Sequence, residues 1–140
     1  MNKFLFYASA RWFGEAVLEL YICTRVDGKE YVYLIRRSAN DPFYSSMLHM
    51  PGARKLPTET DQDHLRRALK ETPFDPSVHV EYILSTTLKT KRGTDFSDIR
   101  RIVLPYEPMK FDFTDFYDVK DLPDNIIEHH KVIIEMVKYV

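Results

Sequence analysis

Apolar and polar positions alternate along this chain with a period that changes from segment to segment. From Glu15 to Ser38, EAVLELYICTRVDGKEYVYLIRRS sets two β-prone runs on either side of Asp27-Gly28. That pair tolerates the positive φ angles of a tight turn, so the segment predicts a β-hairpin. The next stretch, SANDPFYSSMLHMPGARKLPTE, carries Pro42, Pro51, Gly52 and Pro57 with no sustained period and reads as an extended loop. Long loops of this kind often carry function. At Thr60 the pattern turns helical. Thr60 is a candidate N-cap, Asp61 and Asp63 complement the helix dipole in the first turn, and Leu65, Ala68, Leu69 and Thr72 follow the spacing of one buried stripe. Pro73 discourages continuation, so a helix is predicted from Thr60 to Thr72. Downstream, VHVEYILSTTLKT and DIRRIVLPYE read as strands joined by a polar connection around Gly93, and FTDFYDVKDL as mixed strand and turn. In DNIIEHHKVIIEMVKYV, Ile126, Ile127, His130, Ile133, Ile134 and Val137 recur at helical intervals, predicting a helix that lays one face on the sheet.

With 140 residues, 44% of them apolar, the chain has material for one compact core and too little for two ordinary domains, so residues 1–140 are expected to form a single domain. Charged residues balance to a net charge of −1, leaving no global field for nucleic acid or an anionic membrane. Any anion site must therefore be local. Cys23 is the only cysteine, which excludes an intramolecular disulfide and fits a reducing compartment with Cys23 in the core. The N-terminal MNKFLFYASARWF has the outline of a signal peptide, but Arg11 interrupts its apolar run early. No stretch approaches the ~20 apolar residues that span a bilayer. The expectation is a soluble, cytoplasmic protein.

PGARKLPTETDQDHLRRALKET, residues 51–72, reads as a loop turning into a helix that resembles the Nudix box. The family pattern is a glycine, five residues, a glutamate, seven residues, then Arg-Glu-apolar-any-Glu-Glu-any-Gly-apolar. Laid on this chain, its glycine falls on Ala53, its first glutamate on Glu59, its arginine on Arg67, its apolar position on Leu69 and one later glutamate on Glu71. Ala68 and Thr72 stand at two other glutamate positions, and Phe74 at the second glycine. YVYLIRRS before the box and FYDVKDLPDNIIEHHKVIIE after it extend the resemblance over nearly the whole chain. It implies an α/β/α sandwich with a mixed β-sheet.

The resemblance also implies a chemistry. Nudix enzymes cleave nucleoside diphosphates linked to another group, with divalent metal bridging phosphate oxygens and activating water. Magnesium wants near-octahedral oxygen ligation, which the family's Glu-x-x-Glu-Glu supplies and which here is reduced to Glu71. A methyl group at Ala68 cannot ligate metal, and a neutral hydroxyl at Thr72 compensates little charge. The expected function is thus a divergent phosphohydrolase of weak or altered activity, using magnesium or manganese if active, or else a non-catalytic module that uses no metal and binds a nucleotide-like ligand or a protein partner. Replacing both Ala68 and Thr72 by glutamate should restore the metal set on an intact scaffold. The resemblance gives Glu59 and Arg67 a supporting role, as an ion pair fixing loop to helix. His64, four residues before Ala68 and seven before Glu71, shares their stripe. It either joins Glu71 as a ligand for zinc, nickel or manganese, or is an exposed first-turn histidine. Asp115 lies near where some family members carry an extra acidic catalytic residue. Arg36 and Arg37 offer guanidinium forks to phosphate, although strand alternation lets only one face a given side. Phe43, Tyr44, Phe116 and Tyr117 stack on a base or sugar, or belong to the core. His129 and His130, adjacent on a helix, point in different directions and make no obvious metal pair. The partners expected are a nucleotide-like small molecule and a possible second copy of the chain, with no nucleic acid and no membrane.

Overall fold

The computed structural model describes residues 15–75 and 77–140. The N-terminal segment through Arg11 lies outside the described residues. The hairpin forms as β1 (Glu15–Val26) and β2 (Lys29–Tyr33), paired antiparallel from Cys23↔Val32 to Val26↔Lys29. Asp27 and Gly28 adopt φ angles of 51° and 78°, the double positive pair that matches the twist of the flanking strands.

The loop that follows is less irregular than its sequence suggests. It contains β3 (Ile35–Arg36), β4 (Leu48–His49) and β5 (Gly52–Arg54). β3 pairs with β4, while β5 adds to β1 through Val17↔Arg54, Leu18↔Ala53 and Glu19↔Gly52. Such short strands exist only because a distant edge is there to accept them, and local periodicity carries no trace of that edge. β6 (Glu81–Thr90) and β7 (Gly93–Leu104) form a second hairpin, β7 starting before the predicted run, and β8 (Phe116–Asp118) closes on β2. β7 runs parallel to β1 from Glu15↔Asp95 to Thr24↔Leu104. The sheet is therefore mixed, in the order β6-β7-β1-β2-β8, with β5 sharing the β1 edge with β2.

β1 is the centre of the molecule. Val17 to Thr24 are buried without a break, as a strand covered on both faces requires. Leu18, Leu20 and Ile22 pack with Ala68 and Leu69 of α1 (Asp61–Leu69), while Tyr21 and Cys23 pack with Ile133, Ile134 and Val137 of α2 (Glu128–Val137). Two helices thus cover opposite faces of one sheet, the expected sandwich. Cys23 is buried, as anticipated.

α1 begins where expected: Thr60 is the N-cap and its hydroxyl accepts the Asp63 N–H at 3.1 Å. It ends at Leu69 rather than Thr72, because the Thr72 hydroxyl donates to Leu69 O at 2.7 Å and accepts from Phe74 N at 3.2 Å, tightening the chain into a turn. Leu69 is buried; Leu65 is only partly covered. α2 starts after Ile126 and Ile127, because Leu48 of β4 engages the backbone on either side of Ile126, its N–H donating to Asn125 O at 2.9 Å and its carbonyl accepting from Ile127 N at 3.0 Å. Among the described residues no helix is long and apolar enough to cross a membrane.

Candidate functional site

Between β1, β5 and the start of α2 lies a polar cavity of about 310 Å³. Each wall is placed by an element already described. β1 contributes Glu19, the one charged residue in its buried run. Arg37 follows β3, Arg92 sits in the β6–β7 turn, Arg54 ends β5, His49 ends β4, His130 is in the first turn of α2, and Glu71 follows α1. Three guanidinium groups therefore converge on one concavity in a chain with no net positive charge.

The hydrogen bonds around Met50 fix two histidine tautomers. Met50 N–H donates to His130 Nδ1 at 2.8 Å, so the ring proton of neutral His130 is on Nε2, which lies 3.3 Å from Glu19 Oε1. Met50 O accepts from His49 Nδ1 at 2.7 Å, leaving the His49 Nε2 lone pair free of the ring proton. Burial pushes Glu19, His49, His129 and His130 towards their neutral forms. The Glu19 carboxyl rises to about 7 despite the opposing pull of Arg92, His49 and Arg37. His49 falls to about 4, His130 to about 3 and His129 to about 2, each chiefly by burial and secondarily by neighbouring cationic groups. Asp95, buried behind Arg92 and bonded to it at 3.1 Å, is also raised by burial. Asp41 moves the other way: burial opposes ionisation, but the N–H groups of Tyr44 and Phe43 and the Arg37 guanidinium outweigh it.

Glu19, His129 and His130 bring one ligand atom each within 4.8 Å of one another, so adjacency on a helix did not keep the two histidines apart. They sit in the first turn of α2 with ring centroids 4.5 Å apart. The sequence-level separation fails because rotation about the helix axis places Cβ atoms, whereas side-chain torsions place rings. The trio nevertheless makes a poor cation site. His130 Nδ1 is occupied by Met50 N–H and Nε2 holds the proton, so neither nitrogen offers a lone pair unless the ring becomes imidazolate. The box does not fit a bound magnesium either. Ala68 is buried in the core under β1, Thr72 spends its hydroxyl on Leu69 O, and Glu71 alone of the three positions reaches the cavity as a carboxylate. The double glutamate replacement thus loses its premise, since residue 68 faces packed side chains rather than the cavity.

The remaining candidates divide. Glu59 and Arg67 form the expected pair: Arg67 Nε and Nη2 donate to the two Glu59 oxygens at 2.8 and 2.7 Å, and Nη2 also donates to Arg54 O at 2.6 Å. Those guanidinium hydrogen bonds hold the Glu59 carboxyl down at about 2. Arg37 faces the cavity; Arg36 points outward and donates to Ser46 O at 2.8 Å, so alternation does divide the pair. His64 is neither exposed nor beside Glu71. It is buried with Nε2 donating to Ala53 O at 2.6 Å and lines a separate cavity, because the first turn of α1 is tucked against β5. Asp115 is exposed in a positive-φ turn, its carbonyl accepting Leu34 N–H at 3.0 Å, and does not line the arginine cavity. Phe116 packs against Tyr33, Phe74 and Phe111 at 5.1 to 6.3 Å between ring centroids, so the structure brings it to an aromatic cluster rather than to the cavity. Tyr44 is buried beside His129, its hydroxyl accepting Lys91 N–H at 2.9 Å, and lines a neighbouring cavity. Sequence reasoning missed Glu19, His49, Arg54 and Arg92. Only Glu19 carried a signal: a carboxylate inside an otherwise apolar strand.

No protein-family model matches the chain, and no curated protein matches its sequence. Solved structures do. A mutT/nudix family protein from Listeria innocua superposes with a TM-score of 0.68 at 13% identity, over 86% of this chain and 89% of that one. The NUDIX domain of NrtR from Shewanella oneidensis, solved with ADP ribose, gives 0.63 at 17% identity over 96% of both chains. This is the Nudix fold. The Nudix-fold NrtR chain solved with a 27mer DNA gives a TM-score of 0.63 at 17% identity, over 86% of this chain and 58% of that longer one.

Proposed function

We propose that this Nudix-fold chain binds a nucleotide-like diphosphate in the arginine cavity and cleaves it weakly at most. The observation that carries this reading is the composition of the cavity wall: Arg37, Arg54 and Arg92 against a single box carboxylate, Glu71. Guanidinium forks match phosphoryl oxygens in geometry and charge, so they neutralise a diphosphate directly where a metal-bound carboxylate set would otherwise do so. The ADP ribose seen in the NrtR NUDIX domain makes a dinucleotide-type diphosphate the first ligand to try. Hydrolysis by the usual route needs several hard oxygen ligands, and one carboxylate at position 71 does not provide them.

The test is calorimetric titration with ADP-ribose, with and without magnesium, alongside phosphate-release assays. Binding should be independent of magnesium, and Arg37→Ala should weaken it at least tenfold, about 1.4 kcal/mol. Magnesium-dependent turnover on the order of 1 s⁻¹ or faster, abolished by Glu71→Gln, would overturn the reading.

A further inference from the structure

The carboxylates around the cavity differ in their partners. Asp41 is committed to Arg37 at 3.3 Å and to the N–H groups of Phe43 and Tyr44. Asp95 is committed to Arg92, and Glu71 stands exposed on the rim. Glu19 is different. It is 4% exposed, and its nearest described cation-capable neighbour is His130, which burial keeps neutral. Its second oxygen lies over Gly52, where a Cβ would come within 2.6 Å of it, so the chain leaves room for this carboxylate at that spot. Arg92 and Arg37 act on it through space, without a hydrogen bond to it among the described residues.

We propose that Glu19 is the internal counter-anion of the arginine cavity, and that an anionic ligand binds with Glu19 protonated, ligand and carboxylate competing for the same positive field. The inference rests on the diphosphate reading above. With the cavity empty, the ionised Glu19 balances part of the charge of Arg37 and Arg92. A dianion entering the cavity brings like charge close to a buried carboxylate, which favours the neutral acid. Binding then takes up a proton, and affinity declines as pH rises through the range where the empty cavity's Glu19 ionises, near 7. Of the other groups facing Glu19, His49, His129 and His130 titrate far lower, and Asp41 is held ionised by its partners. Asp95, bonded to Arg92, is raised by burial, and the Glu19→Gln variant separates its titration from that of Glu19.

ADP-ribose suits the experiment because its diphosphate is esterified at both ends and keeps a constant charge between pH 6 and 8. Calorimetric titration of the full chain should show binding about tenfold weaker at pH 8 than at pH 6. Glu19→Gln, which mimics the protonated acid, should bind with no such slope and about tenfold more tightly than the parent at pH 8. Repeating the parent titration at pH 7 in buffers of different ionisation heat should show net proton uptake. A parent whose affinity is flat with pH and which takes up no proton overturns the counter-anion role while leaving the diphosphate reading standing. A variant that retains the slope, or binds more weakly than the parent at pH 8, also overturns it. If the variant does not fold, proton uptake by the parent decides alone. No binding of ADP-ribose by the parent even at pH 6 overturns the diphosphate reading and this inference together.

Discussion

Gly52 owes its identity to what stands opposite it across the β1–β5 pair. An added Cβ would lie 2.6 Å from Glu19 Oε2 and 2.6 Å from Leu18 O. The carboxylate could swing aside, but Leu18 O is main chain in the central strand and cannot. Gly52→Ala should therefore lower stability by about 1–3 kcal/mol, as overpacking does. It should also push Glu19 out of its seat and alter anion affinity, so urea denaturation and ADP-ribose titration of the variant check the two effects separately. Loss of neither would mean that β5 approaches β1 less closely than described.

At the scale of the element, α1 shows which parts of a box-like sequence serve as frame. The Glu59–Arg67 clamp, the Thr60 cap and the buried Leu69 reproduce the loop-to-helix joint. Ala68, at a position where the resemblance would put a ligating glutamate, is a packing residue, 1% exposed against Leu18 and Leu20. Ala68→Glu should cost at least about 3 kcal/mol, since it both overpacks the site and buries a carboxylate without a partner. By contrast, Thr60→Ala removes only the cap hydrogen bond and should cost about 1 kcal/mol. Urea midpoints for the two variants test the ordering. An Ala68→Glu protein as stable as the parent that gains magnesium affinity would show that residue 68 reaches the cavity after all.

For the molecule as a whole, the buried histidines dominate the response to acid. His49, His129 and His130 are held below the ordinary histidine value of 6.5, so the unfolded chain binds protons that the folded chain refuses. Their contribution is present above pH 6.5 and is lost as pH falls towards 4. Glu19 works in the opposite sense: its raised carboxyl favours the folded state below the unfolded value of 4.5, and that advantage fades as pH rises through about 7. Near pH 5.5 the balance is about two protons in favour of the unfolded chain, so stability should drop by about 2–3 kcal/mol per pH unit. Denaturant titrations at pH 5, 6 and 7 read this slope. Glu19→Gln should steepen it, because the opposing group is gone.

Sequence alone determined the features whose causes are local. Asp27-Gly28 dictates its turn through the φ angles the pair accepts, Thr60 starts α1 through a hydroxyl three residues from the N–H it caps, and the apolar stripe of α2 follows from helical geometry. The resemblance of residues 51–72 to the Nudix box carried the layer order and the Glu59–Arg67 pair, because one segment holds both partners. What only the tertiary structure decided are the contacts between segments far apart in the chain. β4 and β5 exist because β3 and β1 offer them edges. His64 is buried because β5 lies across the first turn of α1. Arg37, Arg54 and Arg92 meet around Glu19 because the loop after β3, the end of β5 and the β6–β7 turn arrive at one end of the central strand. Periodicity reports which face of an element is apolar; it holds no information on which distant element will cover that face, and the charge of a cavity is set by that second choice.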